Sequence, residues 1–242
     1  MEKLVIKKNS PLSGKIFVNG SKNSALPIMA ASLLSNQDCV LKNVPDLIDI
    51  NTMISLLQKL GVSCKIGNHE ITLNALDIKS FKADYELVSK MRASILVLGP
   101  LLARTGRAIV SLPGGCAIGT RPINLHLFGM KKLGANISIK NGYVYAETKN
   151  GLKGNKIILP SISVGATENI LLAASLSKGI SIIENAAMEP EVQDLCKFLN
   201  NMGSDIKGIG TRRLVIKGKN KFKSVEHSII PDRIVAGTFI VA

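Results

Sequence analysis

A glycine-rich loop around one cysteine is the part of the sequence best suited to chemistry. Residues 112–122 read LPGGCAIGTRP and contain three glycines, two prolines, Cys116 and Arg121. Glycines allow backbone amides to come close to a ligand, and a nearby guanidinium favours a thiolate. Such a thiol can act as a proton donor or a nucleophile. We therefore predict that Cys116 is reactive and that the other three cysteines are small buried packing residues: Cys39, Cys64 and Cys196.

The loop lies in a segment that carries no carboxylate. From Leu87 to Ala146 there is no Asp or Glu, where the chain-wide frequency predicts about four. The segment has eight basic residues: Lys90, Arg92, Arg104, Arg107, Arg121, Lys131, Lys132 and Lys140. A solvated basic face is the ordinary explanation of such a run. Together with the loop, we interpret it as a site for small anions.

Three predicted helix starts offer further anion sites, because free backbone amides and the helix dipole favour negative charge there. The three starts are Ser21-Lys22-Asn23-Ser24, Ser89-Lys90-Met91-Arg92 and Ser163-Val164-Gly165. Lys22 and Arg92 add full charges at these ends. Ser21 and Ser163 are equally well explained as N-caps. His126 is expected to be an exposed or packing residue.

Composition excludes several classes of protein. The chain has 242 residues, 46% of them apolar and 20% charged, which is ordinary for a globular protein. Its net charge of +14 attracts anions, but nine aromatics and no Trp leave few stacking surfaces for RNA. The N-terminus lacks a signal-peptide core and no apolar run approaches a membrane span, so we expect a soluble cytoplasmic protein without membrane contact. Scattered Cys and His residues predict neither a metal site nor disulfides.

The elements that must position these residues form an internal repeat. Three amphipathic helical patterns end in glycines at 61, 134 and 203, which can adopt the left-handed C-terminal cap. Each glycine is followed by a hairpin pattern, and each helix is preceded by a strand and, earlier, by a helix of small apolar residues. The repeat is thus helix, strand, helix, strand, strand over about 70 residues, which predicts an α/β fold. A fourth unit starts at residues 231–233 and stops within its first helix, so we expect the chain to be a fragment.

Several motifs together resemble the UDP-N-acetylglucosamine 1-carboxyvinyltransferase (enolpyruvyl transferase) family over the whole chain. They are GSKNSALP at 20–27, MRAS at 91–94, LPGGCAIGTRP at 112–122, SVGAT at 163–167, IENAA at 183–187, EPE at 189–191 and PDR at 231–233. The resemblance implies an inside-out α/β barrel of the enolpyruvyl transferase type. It also implies that residues 1–21 belong to a second, mostly absent domain, that 22–230 form one complete three-unit domain, and that 231–242 begin the second domain.

The reaction that the resemblance implies is the first committed step of peptidoglycan synthesis. The enolpyruvyl group of phosphoenolpyruvate passes to the 3-hydroxyl of UDP-N-acetylglucosamine, and phosphate is released. The implied partners are these two substrates, without a cofactor or nucleic acid; nothing indicates the oligomeric state. Both substrates are anions, in agreement with the acid-free segment.

The resemblance also implies a role for each matching residue. Cys116 is the general acid, can form an adduct with phosphoenolpyruvate and is alkylated by fosfomycin. Phosphoenolpyruvate is bound by Lys22, Asn23 and Arg121. The UDP-sugar is bound by Arg92, Arg121, Pro122, Ile123, Asn124, Leu125, Ser161, Ile162, Ser163 and Val164. Ser161 is a departure, since relatives can carry Lys there, and a phosphate contact is expected to be lost.

Family members take their general base, an Asp, and a further arginine from the second half. We therefore expect these 242 residues alone to be inactive. Two alternatives remain: the sister enzyme that acts on shikimate 3-phosphate, which is not expected to carry the LPGGC loop, and a basic RNA-binding module.

Overall fold

Three four-stranded sheets and a set of buried helices make up the described part of the chain. The computed structural model describes residues 3, 5, 13–113 and 122–241. The first unit contains α1 (Lys22–Ala31), a 3-10 turn (Ser32–Leu34), β1 (Cys39–Lys42), α2 (Ile48–Leu60), β2 (Ser63–Ile66) and β3 (Glu70–Asn74). The second contains β4 (Lys82–Ala83), α3 (Tyr85–Val88), a 3-10 helix (Arg92–Val97), α4 (Leu98–Thr105), β5 (Arg107–Ser111), α5 (Asn124–Lys132), β6 (Asn136–Lys140) and β7 (Tyr143–Glu147).

The third unit repeats this order. It contains β8 (Lys156–Ile158), α6 (Val164–Ala174), β9 (Ile180–Glu184), α7 (Pro190–Asn201), β10 (Asp205–Lys207) and β11 (Arg213–Lys217). The chain continues with β12 (Val225–Ser228) and α8 (Arg233–Val241). The predicted helix, strand, helix, strand, strand pattern is therefore present in all three units.

Glycines end the second helix of each unit as the sequence predicts. Gly61, Gly134 and Gly203 have φ values of 104°, 93° and 110°, in the left-handed region that favours glycine. The backbone can therefore leave each helix directly into its hairpin.

Each sheet also has a short edge strand that the sequence pattern does not predict. The sheet orders are β12-β1-β3-β2, β4-β5-β7-β6 and β8-β9-β11-β10. β4, β8 and β12 pair in parallel with β5, β9 and β1, respectively. The strand that completes the first sheet thus comes from the chain after the third unit, with Cys39 opposite Val225.

The two ends of segment 22–230 meet as a result. The Ser21 amide donates to the Ile230 carbonyl at 2.7 Å, and Gly20 forms an isolated bridge with Pro231. Asp194 of α7 braces this crossing, since it accepts hydrogen bonds from the Ser24 hydroxyl at 2.5 Å and His227 Nε2 at 2.9 Å.

The inner layer is formed by α1, α4 and α6, in each of which most residues are buried. Two glycines allow close helix contacts. A Cβ at Gly99 would lie 2.5 Å from the Asn169 carbonyl oxygen, and one at Gly129 would lie 2.3 Å from the Ile170 side chain. None of the helices in the described ranges has the length and apolar character that a membrane crossing needs.

Candidate functional site

The N-terminal ends of α1, of the 3-10 helix before α4 and of α6 open into one cavity of about 700 Å³. Among its lining residues are five that the sequence singles out: Lys22, Asn23, Arg92, Ser163 and Val164. They begin α1, the 3-10 helix before α4, and α6, so the repeat brings equivalent helix starts together. A groove of about 780 Å³ beside β5, β6 and β7 contains none of the predicted site residues that the structure describes.

Lys22 is held by a carboxylate. Its Nζ lies 2.7 Å from Oδ2 of Asp49, in the first turn of α2. Nearby, Pro27 interrupts the hydrogen bonding of α1, because proline has no amide hydrogen to donate to the Asn23 carbonyl. Asn23 and Pro27 both line the cavity.

The two serines at helix starts differ in role. Ser163 caps α6, since its hydroxyl accepts a hydrogen bond from the Ala166 amide at 3.3 Å. Ser21 is the N-cap residue of α1, but its hydroxyl caps nothing and its buried Oγ has no hydrogen-bond partner among the described residues. The capping interpretation is therefore confirmed for Ser163 and wrong for Ser21.

His126 of α5 forms part of the cavity wall and is buried, which confirms a packing role and excludes an exposed one. Its Nδ1 lies 3.1 Å from Asn169 Nδ2, which also donates to the Ile95 carbonyl. Burial and then the charge of Arg92 lower the pKa of His126 to about 4. The imidazole is therefore neutral at neutral pH, with the proton on Nε2.

Carboxylates are a feature of the cavity that sequence reasoning missed. Asp49, Glu168, Glu189 and Glu191 all line it. Glu191 pairs with Arg233 at 2.9 Å, whereas burial, reinforced by Glu191 and Glu189, raises the pKa of Glu168 well above its usual range. A signal was present in Glu189-Pro190-Glu191, because acidic residues around a proline are typical of a helix start, here that of α7.

The other predicted binding residues lie next to lining residues rather than in the cavity wall. Pro122 and Asn124 are exposed, Ile123 is buried and Leu125 is half-buried, all just before or at the start of α5. Ser161 and Ile162 are exposed and directly precede Ser163. Cys116 and Arg121 lie outside the described residues, so their roles stay predictions.

Only part of the acid-free segment contributes basic residues to the cavity wall. Of its basic residues, Lys90 and Arg92 line the cavity. Arg104 instead donates to the carbonyls of Leu33 at 2.9 Å and Ser35 at 2.5 Å. Arg107 lies over the Phe81 ring, 3.7 Å from its centroid. Neither of these two arginines lines the cavity, and both have partners within the fold. Within the described ranges, no group of three or more His, Cys, Asp or Glu residues is placed to hold a metal ion.

Comparison with known proteins gives consistent similarities. The family model for EPSP synthase (3-phosphoshikimate 1-carboxyvinyltransferase) matches residues 6–242. UDP-N-acetylglucosamine 1-carboxyvinyltransferase 1 of Caldanaerobacter subterraneus subsp. tengcongensis is 53% identical over 240 residues, which cover 99% of this chain and 57% of that protein. The UDP-N-acetylglucosamine 1-carboxyvinyltransferase of Idiomarina loihiensis is 50% identical over 243 residues, which cover 100% of this chain and 58% of that protein. The chain thus spans somewhat more than half the length of these curated relatives.

Solved structures show a similar fold. The enolpyruvyl transferase NikO from Streptomyces tendae has a TM-score of 0.83 at 22% identity, over 95% of this chain and 54% of that one. An EPSP synthase from Acinetobacter baumannii has a TM-score of 0.75 at 19% identity, over 94% and 52% of the two chains. At these identities the similarity is evidence for the fold alone.

Proposed function

The chain belongs to the EPSP synthase (3-phosphoshikimate 1-carboxyvinyltransferase) family, and on that premise we propose that it serves enolpyruvyl transfer to UDP-N-acetylglucosamine. The enolpyruvyl group would come from phosphoenolpyruvate, phosphate would leave, and the product would enter peptidoglycan synthesis in the cytoplasm. Relatives at 50–53% identity carry the name of that activity. The predicted enolpyruvyl transferase fold is confirmed by the two solved structures.

The observation that carries the proposal is the meeting of three helix starts at one cavity. Amide groups at such ends bind anions, and Lys22 and Arg92 add full charges there. Phosphoenolpyruvate has a phosphate and a carboxylate, and UDP-N-acetylglucosamine has a diphosphate. A cavity of about 700 Å³ at these ends is within the range that small-molecule ligands occupy.

Residue roles are proposed from the family motifs. Lys22, Asn23 and Arg121 would hold phosphoenolpyruvate. Arg92, together with the residues at 121–125 and 161–164, would hold the UDP-sugar. The exposure of Ser161 and Ile162 beside the Ser163 cap is consistent with an open edge that a nucleotide can approach.

The chemistry needs an acid and a base. The sugar 3-hydroxyl oxygen forms a bond to C2 of phosphoenolpyruvate while C3 takes up a proton, and the hydroxyl proton goes to a base. C3 then loses a proton and the bond between C2 and the phosphate oxygen breaks, which releases phosphate and leaves the enol ether. We assign the acid role to Cys116 and expect the base outside these 242 residues. The domain boundaries at 21/22 and 230/231 remain part of the proposal.

The sister reaction on shikimate 3-phosphate is the second candidate, since the matching family model carries that name. Sequence identity favours the UDP-sugar: 50–53% to the curated relatives against 19% to the EPSP synthase of Acinetobacter baumannii.

Calorimetric titration of the 242-residue chain tests substrate choice. We expect UDP-N-acetylglucosamine to bind more tightly than shikimate 3-phosphate or a short RNA, and Arg92→Ala to weaken its binding about tenfold or more. Lys65→Ala, which removes an exposed lysine of β2, is the matched control. Tighter binding of shikimate 3-phosphate or of RNA would refute the proposal.

A chimera tests turnover. We would join this chain to the remaining part of the Caldanaerobacter relative and measure phosphate release. Release should require both substrates, disappear in Cys116→Ala and be inhibited by fosfomycin. The chain alone should release no phosphate. A chimera that folds but releases phosphate without UDP-N-acetylglucosamine would contradict the assignment.

A further inference from the structure

Glu168 is a buried carboxyl group in the wall of the cavity that the proposed reaction does not use. It lies on α6, one turn after the Ser163 cap, and is 4% exposed. Its Oε1 is fully buried and has no hydrogen-bond partner among the described residues. The residue nevertheless lines the cavity, so its charge lies beside the space where an anion is proposed to bind.

Charges around Glu168 make its protonation state important. The described lining residues include four cations, namely Lys22, Lys90, Arg92 and Arg233, and four carboxyl groups, namely Asp49, Glu168, Glu189 and Glu191. With all eight ionised, the positive and negative charges are equal. A proton on Glu168 leaves one positive charge in excess, which favours an anion.

Burial and two acidic neighbours oppose the ionisation of Glu168. The helix α7 contributes Glu189 and Glu191, and both raise the pKa of Glu168; Cys196 of the same helix lies within the electrostatic reach of Glu168. The cavity side carries Lys22 from α1, Arg92 from the 3-10 helix, neutral His126 from α5 and Arg233 from α8. Lys22 is paired with Asp49 and Arg233 with Glu191. Ionising a buried carboxyl group whose Oε1 has no hydrogen-bond partner among the described residues is costly, so this environment raises the pKa of Glu168 and favours the neutral acid.

We propose that Glu168 holds a proton inside the cavity and that this proton controls how tightly the cavity binds phosphate-like anions. This inference rests on one part of the proposed function, namely that the cavity binds anions. Glu168 thereby acts as a determinant of substrate affinity: its ionisation adds a negative charge beside the anion and weakens binding. Conversely, a bound anion strengthens the hold of Glu168 on its proton, since binding and protonation are linked.

Sulfate is a suitable probe because it does not titrate near neutral pH. We would measure sulfate affinity of the 242-residue chain from about pH 6 to about pH 9.5, a range above ordinary carboxyl pKa values. Wild type should lose affinity by about tenfold as Glu168 ionises, a size expected for one charge several ångströms away. Glu168→Gln should lack this component of the pH dependence. Glu168→Leu, which has no polar atom to bury, should lack it as well. Glu147→Gln removes an exposed carboxylate of β7 and should behave as wild type.

Proton uptake gives a second readout that a purely structural role would not produce. Calorimetry of sulfate binding in two buffers with different ionisation enthalpies should show uptake of a fraction of a proton by wild type at alkaline pH. Neither Glu168 variant should show this component.

The outcomes separate this inference from the proposed function. If wild type and Glu168→Gln have the same pH dependence and the same proton uptake, Glu168 does not control affinity, whatever the chain does with phosphoenolpyruvate. If sulfate binding shows the expected difference but neither phosphoenolpyruvate nor UDP-N-acetylglucosamine binds, the inference stands and the proposed function fails. If no anion binds at any pH, both are wrong.

Discussion

Asn169 donates from its side-chain Nδ2 to Nδ1 of His126, at 3.1 Å, inside the layer of helices that forms the cavity wall. The same amide group donates to the Ile95 carbonyl at 2.9 Å, and its Oδ1 accepts from the Gly99 amide at 2.8 Å. The Asn169 side chain therefore connects α6 to α5, to the 3-10 helix that contains Ile95 and to α4, which contains Gly99.

Replacement of Asn169 by Leu should destabilise the fold by about 3 kcal/mol, because three buried polar groups would lose their partner. Urea unfolding followed by circular dichroism measures this loss. Asn150→Ala, in an exposed bend, is the control and should change stability by less than about 0.5 kcal/mol. Equal stability of Asn169→Leu and wild type would show that the network contributes nothing.

The neutral state of His126 should make the fold less stable in acid. Its pKa is lowered from 6.5 to about 4 in the folded chain, so only the unfolded chain binds this proton between those values. The contribution of His126 is complete above about pH 6.5 and is lost as pH falls towards 4, at most about 3 kcal/mol. Urea unfolding at several pH values should show a steeper loss for wild type than for His126→Gln. Parallel curves would contradict the lowered pKa.

Asp194 should stabilise the contact between the first and last residues of segment 22–230. Asp194→Ala would leave the Ser24 hydroxyl and His227 Nε2 unpaired, as well as the Ile230 amide, which donates to Asp194 at 3.4 Å. We expect a loss of about 3 kcal/mol and faster hydrogen exchange at Ile230 and Ser21. Asp77→Asn, at an exposed position, is the control. Unchanged exchange at both amides would refute the bracing role.

Two glycines at helix contacts should differ in their tolerance of alanine. A Cβ at Gly99 would meet the Asn169 carbonyl oxygen at 2.5 Å, whereas a Cβ at Gly129 would meet side-chain atoms of Ile170, which can change rotamer. Thermal unfolding should therefore show a larger loss for Gly99→Ala, about 2 kcal/mol or more, than for Gly129→Ala. The opposite order would mean that α4 and α6 can shift apart more easily than Ile170 can repack.

The cysteines should differ in reactivity. Burial raises the pKa of Cys39 and Cys196 to about 12 and that of Cys64 to about 11, so few of these thiols are ionised at pH 8. Mass spectrometry after brief treatment with iodoacetamide should find Cys116 modified first. In Cys116→Ser the rate of first modification should fall at least about tenfold. Faster modification of Cys39 or Cys196 would contradict their burial.

The repeat could be predicted from the sequence because its helix ends and hairpins depend on residues close together in the chain. Glycine after an amphipathic helix is enough to indicate its end, as Gly61, Gly134 and Gly203 show. Lys22 and Arg92 could likewise be assigned to helix starts. The short strands β4, β8 and β12 gave no signal, because each pairs in parallel with a strand distant in the chain and no hairpin turn marks it.

What the sequence by itself determined is the order of three equivalent units, their inner apolar helices and the helix starts that carry Lys22, Asn23, Arg92 and Ser163. Only the tertiary structure decided that β12 closes the first sheet, that Arg104 caps the end of another helix, and that Glu168, Glu189 and Glu191 face the same cavity as Lys22. The physical reason is distance along the chain. Propensity and capping act within a few residues, whereas burial, ion pairing and charge balance depend on groups that packing alone brings together.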